Sequence, residues 1–243
     1  MTENLIQRHQ LMEELLRRYG RHTSWREQLL YYRKRFAWNV VVGGAQTVKR
    51  LLDIVVSLIL LLLLLPLFAV VALAIKAYDR GPVFYVTERV GKWGREFPFP
   101  KFRSMVLNAD QLKEQLAARN QHADGVTFKM KKDPRITPLG RFLRRSSIDE
   151  LPQLWCVLRG YMSLVGPRPP LPSEVSQYSL EERRRLDVKP GLTCIWQISG
   201  RGDIPFQEQV ALDIEYINSR SLLLDLKVLL RTIPAVLTGR GAY

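Results

Sequence analysis

The stretch from Ile54 to Ile75, IVVSLILLLLLLPLFAVVALAI, carries no charged side chain and one polar one, Ser57. As a helix it would be about 33 Å long, enough to cross the hydrocarbon of a bilayer. Its Leu, Ile, Val and Phe residues favour insertion by roughly 5–10 kcal/mol. The segment therefore reads as a membrane helix and not as the core helix of a soluble protein. About fifty residues precede it and no small-residue cleavage site follows promptly, so it is read as retained and not as a signal peptide.

Pro66 falls just past the middle of this run. It lacks an amide hydrogen and crowds the preceding turn, which predicts a kink. Lys49 and Arg50 precede the apolar run, and Lys76 and Arg80 follow it. A single span should show a basic excess on one side only. The symmetry favours both ends on the cytoplasmic side and a bent, re-entrant helix; an ordinary single span is the alternative that residue chemistry leaves open.

The chain has 243 residues, 47% of them hydrophobic, with a net charge of +14. That length suits one medium domain with an appendage, and the charge selects polyanionic partners: nucleic acid, anionic lipid or phosphorylated small molecules. Residues 1–50 hold ten basic and four acidic side chains, net +6, leaving +8 for the rest. Leu11, Leu15, Leu16 and Tyr19, then Leu29, Leu30, Tyr31, Tyr32, Phe36 and Trp38 among Arg33, Lys34 and Arg35, make this arm interfacial, with anionic lipid as partner. Cys156 and Cys194 form no metal or disulfide pattern. His9, His22 and His122 lie outside the motif-rich part of the chain, so histidine acid–base chemistry is not expected.

Beyond the turn signal Asp79-Arg80-Gly81-Pro82, the stretch VFYVTERVGKWGREFPFPKFRSM predicts a β-hairpin. Residues 104–122 are helical in composition, and a helix is expected from Ser147 to about Leu158. GYMSLVGPRPPLP reads as a rigid loop, Leu180–Leu186 as a short charged helix, and KPGLTCIWQISGRGDIP as loop with one strand. Leu223, Leu226, Leu230, Ile233 and Leu237 repeat at helical spacing, an amphipathic stripe. The fold class is α+β, predominantly helical with a small β-hairpin, attached to a membrane helix. The chain divides into an arm (1–48), the membrane helix (49–78) and a domain (79–243) ending in the amphipathic helix.

Asp149 and Glu150, in SSIDELPQLW, are adjacent carboxylates between arginine clusters. Ser147-x-x-Glu150 fits a capping box, with Asp149 in the first turn where the helix dipole favours it. Neighbours on a helix point about 100° apart, so the two cannot share one proton, but they can meet at one Mg²⁺ or divide the work of nucleophile and metal ligand. Capping and catalysis are both open on these residues alone. Arginines fixed in Gly166-Pro167-Arg168-Pro169 and Ser199-Gly200-Arg201-Gly202 present a planar fork suited to diphosphate. A membrane-anchored basic module that binds nucleic acid or anionic lipid without catalysis would explain the charge but not these ordered loops.

From Lys49 on, the sequence resembles the bacterial sugar transferases, the monotopic polyprenyl-phosphate phosphoglycosyl transferases. The motifs that carry the resemblance are KRLLDIVVS, GPVFY, ERVGKWGREFPFPKFRSM, DPRITPLGRFLRRSSIDELPQLWCVLRGYMSLVGPRPP, VKPGLTCIWQISGR and SLLLDLKVLLRTIPAVLTGRGAY, in that order. The resemblance implies a catalytic domain on the cytoplasmic face of the bacterial inner membrane. Its helix, broken at Pro66, would enter and leave the same leaflet.

By the same resemblance Asp149 attacks the sugar-bearing phosphate of a UDP-sugar, UDP-glucose or UDP-galactose. UMP leaves, and polyprenyl phosphate resolves the covalent phosphosugar. Asp149 and Glu150 would hold Mg²⁺, and Lys101, Arg103, Arg168 and Arg201 would bind phosphates and nucleotide. The implied partners are UDP-sugar, polyprenyl (undecaprenyl) phosphate and anionic lipid, with no nucleic acid; a homo-oligomer is compatible with the family. Longer family members begin with several membrane spans, where this chain has the basic arm. It departs from the common pattern at Leu65 (serine frequent), Cys156 (asparagine usual), Tyr161 (aspartate usual) and Cys194 (glycine usual).

Overall fold

The structure, a computed structural model, describes residues 25–116, 130 and 133–239. The expectations for Leu11 to Tyr19 and for the end of the 104–122 segment lie outside the described residues. The chain divides into two compact units, Met1–Lys49 and Arg50–Tyr243. In the first, Trp25, Leu29, Leu30 and Tyr32 are exposed.

Helix α1, Trp25–Asp79, contains the apolar run with Pro66 inside it. Its stretch Gly44–Asp79 has a mean hydropathy of 3.2 in its most apolar part and is long and apolar enough to cross a membrane. Leu58, Ile59, Leu62, Leu63, Leu65, Val70 and Leu73 are exposed along it. The rest of the run packs on two different clusters. Val56, Leu60, Leu61 and Leu64 lie against Phe97, Phe99, Leu154 and Val157. Leu67, Phe68, Val71 and Ile75 lie with Phe102, Leu143 and Ile148. The change from one cluster to the other falls across Leu65 and Pro66.

Polar bonds fix both ends of this run to the rest of the second unit. Arg50 Nη1 and Nη2 donate to Val157 O (2.7 Å) and Leu158 O (2.8 Å). Buried Asp53 accepts from Leu164 N (3.0 Å) and Ser163 Oγ (3.2 Å). At the other end Asp79 pairs through both oxygens with Arg103.

Strands β1, Phe84–Val90, and β2, Glu96–Phe102, form the expected antiparallel hairpin, with Tyr85 opposite Lys101 and Arg89 opposite Phe97. Alternation sends Tyr85, Thr87, Arg89, Phe99 and Lys101 to one face and Phe84 and Phe102 to the other. On that second face Phe102 stacks on Phe84 (5.2 Å) and meets Phe68 of α1 edge-on (5.3 Å). The second half of the apolar run thus meets the Phe102 face of the hairpin, while its first half packs on the cluster of Phe97 and Phe99, which share the face that carries Lys101 and Arg89.

Helix α2, Ala109–Leu116, follows, then α3, Pro138–Arg145, which starts with a Thr137 cap on Gly140 N (2.9 Å). Gly140 is required by contact, since a Cβ there would overlap the carbonyl of Ser104. The next segment corrects the sequence reading. Ile148–Gln153 is a 3-10 helix, and only Leu154–Arg159 (α4) is α-helical. Ser147 is left-handed (φ 56°) and makes no side-chain cap, so the capping box is absent. Glu150, its expected partner, is engaged by Arg168 instead.

The GYMSLVGPRPPLP segment, expected as loop, contains β3, Ser163–Val165, parallel to β4, Gly191–Thr193. Helix α5, Pro172–Val175, and a 3-10 helix, Glu182–Asp187, follow β3. Beyond β4 come α6 (Ile195–Ser199), a 3-10 turn (Arg201–Asp203), α7 (Phe206–Ser219) and α8 (Leu222–Thr238). Val228 of α8 is buried in the main core, while Leu223, Leu226, Leu230, Ile233 and Leu237, a stripe that could have packed on the core or lain on the membrane, are exposed.

Candidate active site

The 3-10 helix Ile148–Gln153 packs on β2 and α3 and brings Asp149 to the Lys101 face of the hairpin. Asp149 is 6% exposed. No described residue hydrogen-bonds its carboxylate, yet Arg144, Lys101 and Arg168 are near enough for their charges to act on it. Burial, then the neighbouring charge of Glu150, raises its pKa to about 7 against the pull of those three cations. Desolvation thus outweighs the surrounding cations. Ile148, one residue earlier, packs with Leu67, Phe68, Val71 and Ile75 of α1, which sets the site against the apolar helix.

Glu150 is held differently. Arg168 Nη2 donates to Oε1 (2.6 Å) and Nη1 to Oε2 (3.3 Å). Burial opposes its ionisation, but the charge and hydrogen bonds of Arg168 prevail and lower its pKa. Arg168 sits in a loop whose backbone is fixed on both sides. Gly166 N donates to Thr193 O (3.0 Å), Gly191 N to Pro167 O (2.9 Å) and Val90 N to Pro170 O (2.9 Å). Gly166 and Gly191 approach so closely that a Cβ on either would collide with the other's backbone.

Lys101 is deprived of water on the hairpin face, and this, with the repulsion of Arg144, lowers its pKa to about 8. Its Nζ lies 5.3 Å from the Tyr85 ring centre. Arg201, half-buried in a left-handed conformation (φ 52°), feels the charges of Glu150 and Arg168 and so belongs to the same group. Arg103 does not join them. Its guanidinium is bound to Asp79 and to Pro82 O (2.6 Å), at the exit of α1.

Two arginines not chosen from the sequence complete the site. Arg144, in the last turn of α3, donates from Nε to Ser104 Oγ (2.9 Å) and acts on Asp149. Arg89 donates to Pro169 O (3.0 Å) and lies 5.3 Å from the Phe99 ring centre, so it braces the Arg168 loop. Strand alternation, which puts Arg89 on the Lys101 face, was the signal for it; Arg144 had only its membership of the RFLRR cluster.

Among the described residues no three His, Cys, Asp or Glu side chains converge to cage a metal. The donor set still fits Mg²⁺, which binds one or two carboxylates together with substrate phosphate oxygens. Asp149 is uncommitted, and each Glu150 oxygen retains a lone pair beyond the bond from Arg168.

The sequence model of the bacterial sugar transferases matches residues 44–239. The galactosyl transferase CpsE of Streptococcus agalactiae serotype III is 48% identical over 195 residues, covering 80% of this chain and 43% of that protein. The UDP-galactose-lipid carrier transferase of Erwinia amylovora is 41% identical over 208 residues, 84% and 43% of the two chains. The exopolysaccharide production protein ExoY of Sinorhizobium fredii is 41% identical over 205 residues, 83% and 90%. The chain thus spans less than half the length of the first two relatives and most of the third.

Proposed function

The chain belongs to the bacterial sugar transferase family, and from that premise we propose that it transfers a hexose-1-phosphate from UDP-galactose or UDP-glucose to undecaprenyl phosphate. The observation that carries this reading is Asp149. It is a buried carboxylate without a hydrogen bond, ringed by Lys101, Arg144 and Arg168, one residue from a side chain packed on the apolar helix.

In the proposed reaction an Asp149 oxygen attacks the sugar-bearing phosphorus. An acyl phosphate bond forms, the diphosphate P–O bond breaks, and UMP leaves with that electron pair. An oxygen of undecaprenyl phosphate then attacks the same phosphorus and restores the carboxylate. Lys101, Arg144, Arg168 and Arg201 compensate charge on the phosphoryl oxygens, and Glu150 fixes the fork of Arg168. Asp149 and Glu150 are the residues to hold Mg²⁺, which when bound would offset diphosphate charge. The acceptor carries its phosphate on a membrane-embedded chain, which suits a site beside α1.

Re-entry is part of the proposal. Asp53 and Asp79 would be about 39 Å apart in a straight helix, more than the hydrocarbon thickness. Both nevertheless bind one globular unit, Asp53 through Leu164 and Asp79 through Arg103. A polar unit cannot stand on both sides of a bilayer, which supports both ends lying on one face, in this proposal the cytoplasmic one. A bend is proposed at Pro66, which lacks the amide hydrogen and crowds the preceding turn.

The test is UMP release by the full chain in lipid nanodiscs with Mg²⁺, undecaprenyl phosphate and a panel of UDP-sugars. Without acceptor, intact mass spectrometry should detect the protein plus one hexose phosphate, and Asp149→Asn should lose both signals. An Asn variant that releases UMP at the wild-type rate refutes the nucleophile.

A further inference from the structure

Around the entry of the apolar helix the globular unit carries cations and exposed rings that the transfer chemistry does not use. Arg50, four residues before Ile54, ties the end of α4 to the start of the run through Val157 O and Leu158 O. Above Gly160, which ends α4, the side chains of Arg50 and Lys189 converge: a Cβ there would lie 3.0 Å from Arg50 Nη2 and 3.6 Å from Lys189 Nζ. Lys189 in turn stands near enough to Lys92 for their charges to repel. Lys92 Nζ lies 4.1 Å from the centre of the Trp93 ring, and the Arg159 guanidinium 5.8 Å from that of Trp155.

Three rings in this region face outward. Trp93 is 70% exposed, Trp155 52% and Tyr161 42%. Tyr161 stacks on Phe97, with centroids 5.7 Å apart and planes 14° apart, so its position is set by the core beneath. Among the described residues, Lys92, Arg159 and Lys189 have no ion-pair partner. Amphipathic rings and unpaired cations at the mouth of an apolar helix have the composition of a headgroup-level belt. Each cation adds about a fivefold preference for an anionic leaflet.

We infer that Lys92, Trp93, Trp155, Arg159, Tyr161 and Lys189 form a docking collar for anionic lipid headgroups, setting the depth at which the globular unit meets the leaflet that takes α1. The inference rests on α1 being a membrane helix and is independent of the transfer chemistry. Its occupant is the bilayer surface itself, by charge complementarity and by continuity with the apolar run.

The test uses the full chain in nanodiscs, with a nitroxide on Tyr161→Cys or Trp93→Cys at the collar and on Glu208→Cys of α7 as the reference. Cys156 and Cys194 are buried, which confines labelling to the introduced thiols. In discs of phosphatidylcholine with phosphatidylglycerol, collar labels should be relaxed several-fold more by oxygen, relative to a water-soluble nickel chelate, than the reference. Lys92→Glu/Arg159→Glu/Lys189→Glu, or discs of phosphatidylcholine alone, should reduce that ratio. Collar labels as aqueous as the reference overturn the collar. A ratio insensitive to both charge reversal and lipid charge overturns its anionic selectivity. Headgroup-level labels on a wild-type chain that releases no UMP overturn the transferase reading alone.

Discussion

Arg168 donates to both carboxylate oxygens of Glu150, at 2.6 and 3.3 Å, while Asp149 beside it receives no such bond. The two carboxylates are therefore unequal before any substrate arrives: one is a fixed anion, the other an available one. Arg168→Lys keeps the charge but loses the planar fork, and UMP release should fall by about a hundredfold. Glu150→Gln should also be slow, but with a diagnostic shift. Glu150 raises the pKa of Asp149, so its neutralisation should move the acid limb of the rate profile to lower pH. A Gln variant whose acid limb stays in place would separate Glu150 from Asp149.

The pH profile of the wild type follows from Asp149 and Lys101 together. Asp149 must be ionised to attack and is held near pH 7, whereas Lys101 must be protonated to bind phosphate and is held near pH 8. UMP release under kcat/KM conditions should therefore form a narrow bell, rising through about 7 and falling through about 8, as properties of the pair. Lys101→Arg should extend the alkaline side. A flat profile between pH 6 and 9 would contradict the pairing.

The same raised pKa has a consequence for stability. The folded state holds the Asp149 proton more tightly than the unfolded state, so this contribution is complete below about pH 4 and is lost as pH rises through about 7. At pH 8 ionised Asp149 costs the fold up to about 4 kcal/mol. Asp149→Asn should accordingly unfold at a higher temperature than wild type at pH 8, with the difference vanishing towards pH 4. Calorimetry of the solubilised full chain measures it; an Asn variant less stable at pH 8 would sink the argument.

Much of this was legible in the sequence, for identifiable reasons. The apolar run, the hairpin around Gly91 and Gly94 and the helical spacing of α8 depend on local periodicity, which survives folding unchanged. The Asp149-Glu150 pair stood out by its place among arginines. The partners of those residues were hidden, because each is distant in sequence. Glu150 looked like the close of a capping box until Arg168, eighteen positions on, took its carboxylate. Arg103, a phosphate ligand by resemblance, pairs with Asp79 of the membrane helix, a partner that local periodicity does not reveal.

That pairing gives a decisive experiment for Arg103. The ion pair is mostly buried, with Arg103 at 7% and Asp79 at 22% side-chain exposure. Asp79→Asn leaves Arg103 without a counterion and should lower stability by about 2–3 kcal/mol. If Arg103 anchors α1 and does not touch substrate, Arg103→Lys should lower the unfolding temperature and leave KM for the UDP-sugar within about twofold. A large rise in KM at unchanged stability would return Arg103 to the phosphate site.

Ser104, next to Arg103, offers a finer test because its hydroxyl accepts from Arg144 Nε at 2.9 Å while its carbonyl receives Thr137 N at 3.1 Å. The carbonyl contact holds α3 on the hairpin, and only the hydroxyl orients the arginine. Ser104→Ala should keep the fold yet slow UMP release by about tenfold, since Arg144 loses the bond that aims it. In an Arg144→Lys background, which has no Nε–H to orient, the same substitution should change the rate by less than about twofold. Equal losses in both backgrounds would assign Ser104 to packing.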